Sequence, residues 1–202
     1  MNTGNKIRKT RSIGRLQIWL IGLVFLAPVV GVFFWKPTGY VNYGELIEPA
    51  RTIKDVALTR LDGTPIRFSD LHQKWTLLYV GGRLCDDVCV QSLHKIHQVR
   101  LAQSKHAYRV QSVYLIPNSN QIPQIQELVN RYSGIIGIAA DETVFTELAK
   151  QFEVNKQTPM DGAQRIYIVD PLGNLMMSYP HDADPSGIRK DLHRLLKVSQ
   201  IG

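Results

Sequence analysis

Hydrophobic positions fall along this chain in two regimes. From Leu16 to Trp35 (LQIWLIGLVFLAPVVGVFFW) they run almost unbroken, with no charge and one strong polar group, Gln17. At 1.5 Å rise per residue, a helix of that length spans about 30 Å, the thickness of a bilayer core. After residue 36 the apolar positions come in short runs or at helical spacing, separated by turn residues. Trp75 to Val80 (WTLLYV) is continuously apolar, which predicts a strand covered on both faces. Arg109 to Ile116, Ile135 to Ala140 and Gln164 to Val169 read as further strands. Val90 to about Gln103, Ile122 to Tyr132 and Glu142 to Phe152 each carry apolar residues on one helical face. Asp62-Gly63 centres a hairpin over Val56 to Phe68. Asp170 to Asn174 turns the strand ending at Val169 back into Leu175 to Tyr179. A last helix starts at Asp184-Pro185-Ser186 and runs to about Val198, with Asp184 or Ser186 as N-cap and proline in its first turn.

Strands and helices alternate, so the expected class is α/β with a parallel core, to which the final hairpin adds antiparallel strands. A cysteine pair between the first core strand and the next helix fits a thioredoxin-like domain. The expected organisation is a basic tail over 1–15, a transmembrane signal-anchor helix over 16–35, a linker over 36–51 and the domain over 52–202. Pro28 would kink the anchor and is tolerated there. Trp19 and Trp35 stand near its ends, where amphipathic rings favour the interface. A cleaved signal peptide is the alternative, but the apolar run is long for one and no small-x-small cleavage site is clear after it.

Charge sharpens the orientation. The chain carries 24 Lys+Arg against 17 Asp+Glu, a net +7. Taken alone that suggests a nucleic-acid binder. The excess sits mainly in Lys6, Arg8, Lys9, Arg11 and Arg15, ahead of the apolar run and with no acid among them. Positive charges on that side predict a cytoplasmic N-terminus and a domain across the membrane, with no nucleic-acid partner. In a bacterium this is a single pass through the inner membrane, with the domain in the periplasm, where disulfides form.

The candidate chemistry lies in Cys85 and Cys89, the two cysteines of the chain. They exclude a four-cysteine zinc site and a disulfide-rich scaffold. Four residues apart in helical geometry, they would stand on one face with Cα atoms roughly 6 Å apart, within reach of a disulfide. Two such thiolates also suit a soft ion such as Cu(I). A structural disulfide or two buried thiols are the plain alternatives. A thiolate at a helix N-terminus has a lowered pKa, whereas the carboxylates of Asp86 and Asp87 would raise it. Those two aspartates also suit the first turn of a helix in their own right. No G-x-S-x-G, phosphate-binding loop or T-x-x-C peroxidase pattern is present.

The run FSDLHQKWTLLYVGGRLCDDVC, the strand RVQSVYLI and the hairpin RIYIVDPLGNLMMSY resemble the Sco/SenC family over about residues 52–198. The resemblance implies a membrane-anchored, thioredoxin-like factor that helps assemble the copper centre of cytochrome c oxidase subunit II. The family's C-P-D-x-C-P motif is matched at Cys85, Asp87 and Cys89, while Asp86 and Val90 stand at the two prolines. The family's histidine copper ligand falls at Gly162, after Asp161, so only the cysteines carry over as copper ligands. Met160, a thioether in the same loop, is a weak candidate for the third. His94, His97 and His181 are weaker still, since the first two sit about 140° and 80° around an ideal helix from Cys89.

The residue pattern describes a tethered dithiol domain, and the resemblance implies that it assists oxidase assembly. It would exchange disulfides with the oxidase copper site or deliver Cu(I) to it transiently, partnered by subunit II or another assembly factor. By thioredoxin analogy Cys85 attacks and Cys89 resolves. A non-catalytic protein that contacts a respiratory complex and carries a structural disulfide is the alternative.

Overall fold

The computed structural model describes residues 17–28, 30–31, 42–82, 84–117, 120, 122–199 and 201. The basic tail, residues 16, 29 and 32–35 of the expected span, and linker residues 36–41 lie outside them. Residues 17–28 form a helix, α1, with side chains exposed. Among the described residues no helix is long and apolar enough to cross a membrane. The chain divides into two compact units, Met1–Val41 and Asn42–Gly202.

The second unit is built on one eight-stranded sheet. Its strands are β1 (Glu45–Thr52), β2 (Ala57–Arg60), β3 (Pro65–Arg67), β4 (Trp75–Val80), β5 (Val110–Ile116), β6 (Ile135–Ala139), β7 (Arg165–Val169) and β8 (Asn174–Pro180). Their order in the sheet is β1-β8-β7-β4-β5-β6-β2-β3. The parallel ladders are β4 with β5 and β5 with β6, and the other pairings are antiparallel. The helices are α2 (Asp87–Leu101), α3 (Ile122–Arg131), α4 (Glu142–Ala149) and α5 (Pro185–Val198).

β4 lies at the centre, and all six of its residues are buried, as its unbroken apolar run requires of a strand covered on both sides. The period of two sends Leu77 and Tyr79 to one face and Leu78 and Val80 to the other. The first face packs Leu93 and Ile96 of α2, Ile125 of α3 and Leu192 of α5. The second packs Phe145 and Leu148 of α4 together with Phe68, Leu71 and Phe152. Arg109 donates to the carbonyls of Leu196, Ser199 and Ile201 at 2.8–2.9 Å. It thereby serves backbone acceptors that a helix end leaves unsatisfied.

Three boundaries differ from expectation. The second part of the expected linker is β1, laid antiparallel along β8 with a register shift between Leu46 and Arg51. Its sequence, ELIEPART, lacks clean alternation because only Ile47 is buried. α4 stops at Ala149, and Lys150–Phe152 tighten into a 3₁₀ turn. α2 begins at Asp87, three residues earlier than Val90. Asp184 is the N-cap of α5, its carboxylate accepting from the Ser186 amide at 2.8 Å.

Candidate functional site

The early start of α2 comes from one side chain. Asp86, in extended conformation, caps the helix by accepting the Cys89 amide on Oδ1 at 3.0 Å. Its pKa is lowered, first by that backbone hydrogen bond and then by one from Gln164. Cys89 therefore sits in the first turn, and Cys85 lies just outside the helix, one residue before the cap. The pair is not a helical i, i+4 pair, yet the Cα atoms are 5.1 Å apart and the sulfurs are joined in a disulfide. That spacing lies within the ordinary range for such a bond.

The two sulfurs have different surroundings. Cys89 is 0% exposed, whereas Cys85 is half-buried and packs at the edge of the core. The Tyr114 hydroxyl of β5 lies 3.4 Å from Cys89 Sγ. With the sulfur in a disulfide, the phenol is the donor. Tyr114 stacks on Tyr79, its register partner in β4, with ring centroids 5.4 Å apart. The Tyr79 hydroxyl donates to Gln164 Oε1 at 2.6 Å. Gln164 Nε2 in turn donates to Asp86 Oδ2 at 3.0 Å. Burial pushes both phenols well above the usual tyrosine range, so each remains a neutral donor. Gly81, just after β4, makes room for this arrangement. A Cβ there would stand 2.7 Å from the Tyr114 hydroxyl.

The remaining candidates lie in other settings. Met160 is 42% exposed, in a 3₁₀ turn over Pro159–Asp161. Asp161 closes that turn by accepting the Thr158 amide and hydroxyl at 2.9 Å. Gly162 ends it at φ 82°, a left-handed position that suits glycine, with open space around it. His94 and His97 of α2 meet the Tyr132 ring, with centroids 5.9 and 5.7 Å away. Desolvation lowers the His97 pKa, helped by Arg100 and His94. His181 is held through its carbonyl, which accepts from Lys95 at 2.6 Å. Among the described residues no group of three or more His, Cys, Asp or Glu side chains could hold a metal ion.

Sequence reasoning set the two cysteines before a helix and within reach of a disulfide, with Cu(I) binding and buried thiols left open beside it. It missed Tyr114, Tyr79 and Gln164, whose residue types vanish into apolar or strand-like runs. The usable signal was position, because all three stand at or beside the end of the sheet where β4 and β5 finish, the end at which parallel sheets place their sites.

Residues 75–199 match the family described as transmembrane-like, thioredoxin-like, C-terminal domain. No curated protein matches the sequence. Among solved structures, Arabidopsis thaliana ScoI with copper bound superposes with a TM-score of 0.63 at 19% identity, covering 73% of this chain and 99% of that one. Yeast Sco1 with copper bound gives 0.63 at 17%, covering 76% and 96%. BsSco, described as a member of the Sco family of cytochrome c oxidase assembly proteins with a disulfide switch, gives 0.59 at 14%, covering 75% and 96%. At these identities the likeness is one of fold. It agrees with the thioredoxin-like α/β expectation and with the resemblance seen in the sequence.

Proposed function

The chain belongs to the transmembrane-like, thioredoxin-like, C-terminal domain family, and from that footing we propose that it is a membrane-anchored Sco-like protein that assists cytochrome c oxidase assembly through its C-x-x-x-C dithiol. The observation that carries this reading is the asymmetric pair at the start of α2, a half-buried Cys85 bonded to a sealed Cys89. Once a thiol reductant has opened that disulfide, Cys85 is the sulfur a target can reach. Its thiolate attacks a target disulfide, forming a mixed disulfide and releasing one target thiolate. Cys89 then attacks Cys85 Sγ, restores the internal bond and releases the second target thiolate.

The partner is an oxidase component, subunit II or another assembly factor. Support comes from the description of BsSco as one of the oxidase assembly proteins. The basic tail and the apolar run over 16–35 support a single-pass anchor in the bacterial inner membrane, N-terminus cytoplasmic and domain periplasmic. Copper is read as cargo. The copper-bound neighbours support a link to the metal, but the residues do not fit a Cys2His site. Gly162 has no donor, and opening the disulfide leaves two sulfurs of which one is sealed. This favours thiol exchange on the oxidase site over carriage of Cu(I).

The test is oxidase activity in the native host after Cys85→Ser and Cys89→Ser. Loss of activity in both is expected, and unchanged activity in both removes the cysteine mechanism. The complete burial of Cys89 favours a second reading, a structural disulfide in a non-catalytic partner of a respiratory complex. A reduction potential below about −300 mV, with no copper retained by the purified protein, would establish that reading instead.

A further inference from the structure

Reduction of the Cys85–Cys89 bond raises a problem that the sequence conceals. An incoming thiolate can reach Cys85, so the bond breaks with its electron pair on Cys89. That leaves a thiolate at a position with 0% exposure, in the core between α2 and the sheet. An anion without a donor is costly in such a place. The amide of Cys89 itself is already given to Asp86 Oδ1, and the Asp86 carboxylate adds a like charge to the same turn. Among the described residues, the side-chain polar group that meets Cys89 Sγ is the Tyr114 hydroxyl, 3.4 Å away.

We propose that Tyr114 is a positioning residue for the dithiol reaction, its hydroxyl donating to Cys89 sulfur so that Cys89 serves as leaving group and, in reverse, as resolving thiolate. The proposal rests on the thiol-exchange reading of the site. Three further features hold the phenol to this task. Gly81 leaves the space that the hydroxyl occupies. Tyr79, stacked against the ring, fixes its plane from β4. Gln164 ties the Tyr79 hydroxyl to Asp86, so the cap of α2 and the phenol pair are braced as one frame.

The chemistry balances with a small thiol such as glutathione. Its thiolate attacks Cys85 Sγ, a bond forms between those sulfurs, and the Cys85–Cys89 bond breaks to leave the Cys89 thiolate. Tyr114 keeps its proton and donates a hydrogen bond. A second glutathione thiolate attacks the glutathione sulfur of the mixed disulfide, releasing the Cys85 thiolate and glutathione disulfide. One proton from water completes the Cys85 thiol, and the Cys89 thiolate keeps the hydrogen bond from Tyr114.

The experiment measures the equilibrium constant of the full chain against glutathione and glutathione disulfide, together with the rate of the first attack. A hydrogen bond to a charged group is worth more than one to a neutral disulfide sulfur. Tyr114→Phe, which keeps the ring and its stacking, is therefore expected to shift the equilibrium roughly tenfold toward the disulfide. The first attack should slow in the same direction, with the trapped mixed disulfide still on Cys85. Gly81→Ala, which keeps the hydroxyl but displaces it, is expected to move both readouts the same way, and it serves if Tyr114→Phe does not fold. An equilibrium constant and rate within twofold of the parent in the folded variants overturn the proposal. The wider reading is judged separately. If the cysteine variants lose oxidase activity while Tyr114→Phe leaves exchange unchanged, only Tyr114's assignment fails. If Tyr114→Phe shifts exchange while the cysteine variants keep oxidase activity, the assignment stands and the assembly role fails.

Discussion

Two aspartate–tyrosine networks occupy this domain, and they are built on opposite principles. At the dithiol, exposed Asp86 reaches buried Tyr79 only through Gln164. At the outer sheet edge, Asp191 of α5 is 2% exposed and takes the Tyr179 hydroxyl directly at 3.0 Å. The same Asp191 oxygen accepts the amides of Tyr43 and Gly44 at 2.8 and 3.1 Å, and Oδ1 lies 4.0 Å from Arg194 Nη1. Lys190 covers the Tyr43 ring at 4.9 Å. A buried carboxylate with three donors fixes one geometry, because each donor left unpaired there is costly. The network at the disulfide keeps its charge in water and touches the core through neutral groups.

The contrast orders the consequences of breaking each part. Asp191→Ala orphans two amides and a phenol, and is expected to cost about 3 kcal/mol of unfolding free energy, measured by urea denaturation. A loss under about 1 kcal/mol would make the two networks equivalent. Gln164→Ala removes the bridge between Asp86 and Tyr79 and is expected to cost about 1.5 kcal/mol. A double-mutant cycle with Tyr79→Phe should then show coupling, and simple additivity would show that the bridge transmits nothing. Asp86→Ala removes an exposed N-cap, worth about 1 kcal/mol. The Asp86 contribution also has a defined pH range. The folded pKa lies below the unfolded value of about 3.9, so the stability it brings is fully present above that value. It is lost as pH falls through the lower folded pKa. Parent and Asp86→Ala should therefore converge in stability toward strongly acid pH, and a constant gap across pH 2 to 6 would contradict this.

Much of the fold was legible because its signals are local. WTLLYV reads as a covered strand, and Asp62-Gly63 and Leu172-Gly173 supply the left-handed turns that two hairpins need, with Gly63 at φ 84° and Gly173 at φ 87°. β1 was not legible. It is an edge strand with one buried residue and Pro49 within it, and its place is set by β8 and by Asp191, 147 residues from Gly44. The nearness of the two cysteines was legible from spacing, but neither their disulfide nor the start of α2 was, because a capping aspartate and a first-turn aspartate look alike in DD. Tyr114 was hidden for a related reason. In RVQSVYLI it reads as one more apolar residue, and only the parallel register that sets Tyr79 beside Tyr114 gives its hydroxyl a purpose.

The register of β1 has a mechanical consequence. Glu45 pairs with Ser178, Ser178 with Tyr167, and Tyr167 with Leu78, so the first residue of β1 lies on the same rung as the last half of β4. Three ladder steps amount to roughly 15 Å, and β4 runs from that rung into the loop that carries Cys85. Arg165, next to Gln164, even grips Glu45 at 2.7 Å. A strain applied to the start of β1 is thus felt at the end of the sheet that carries the disulfide, across a short lever arm.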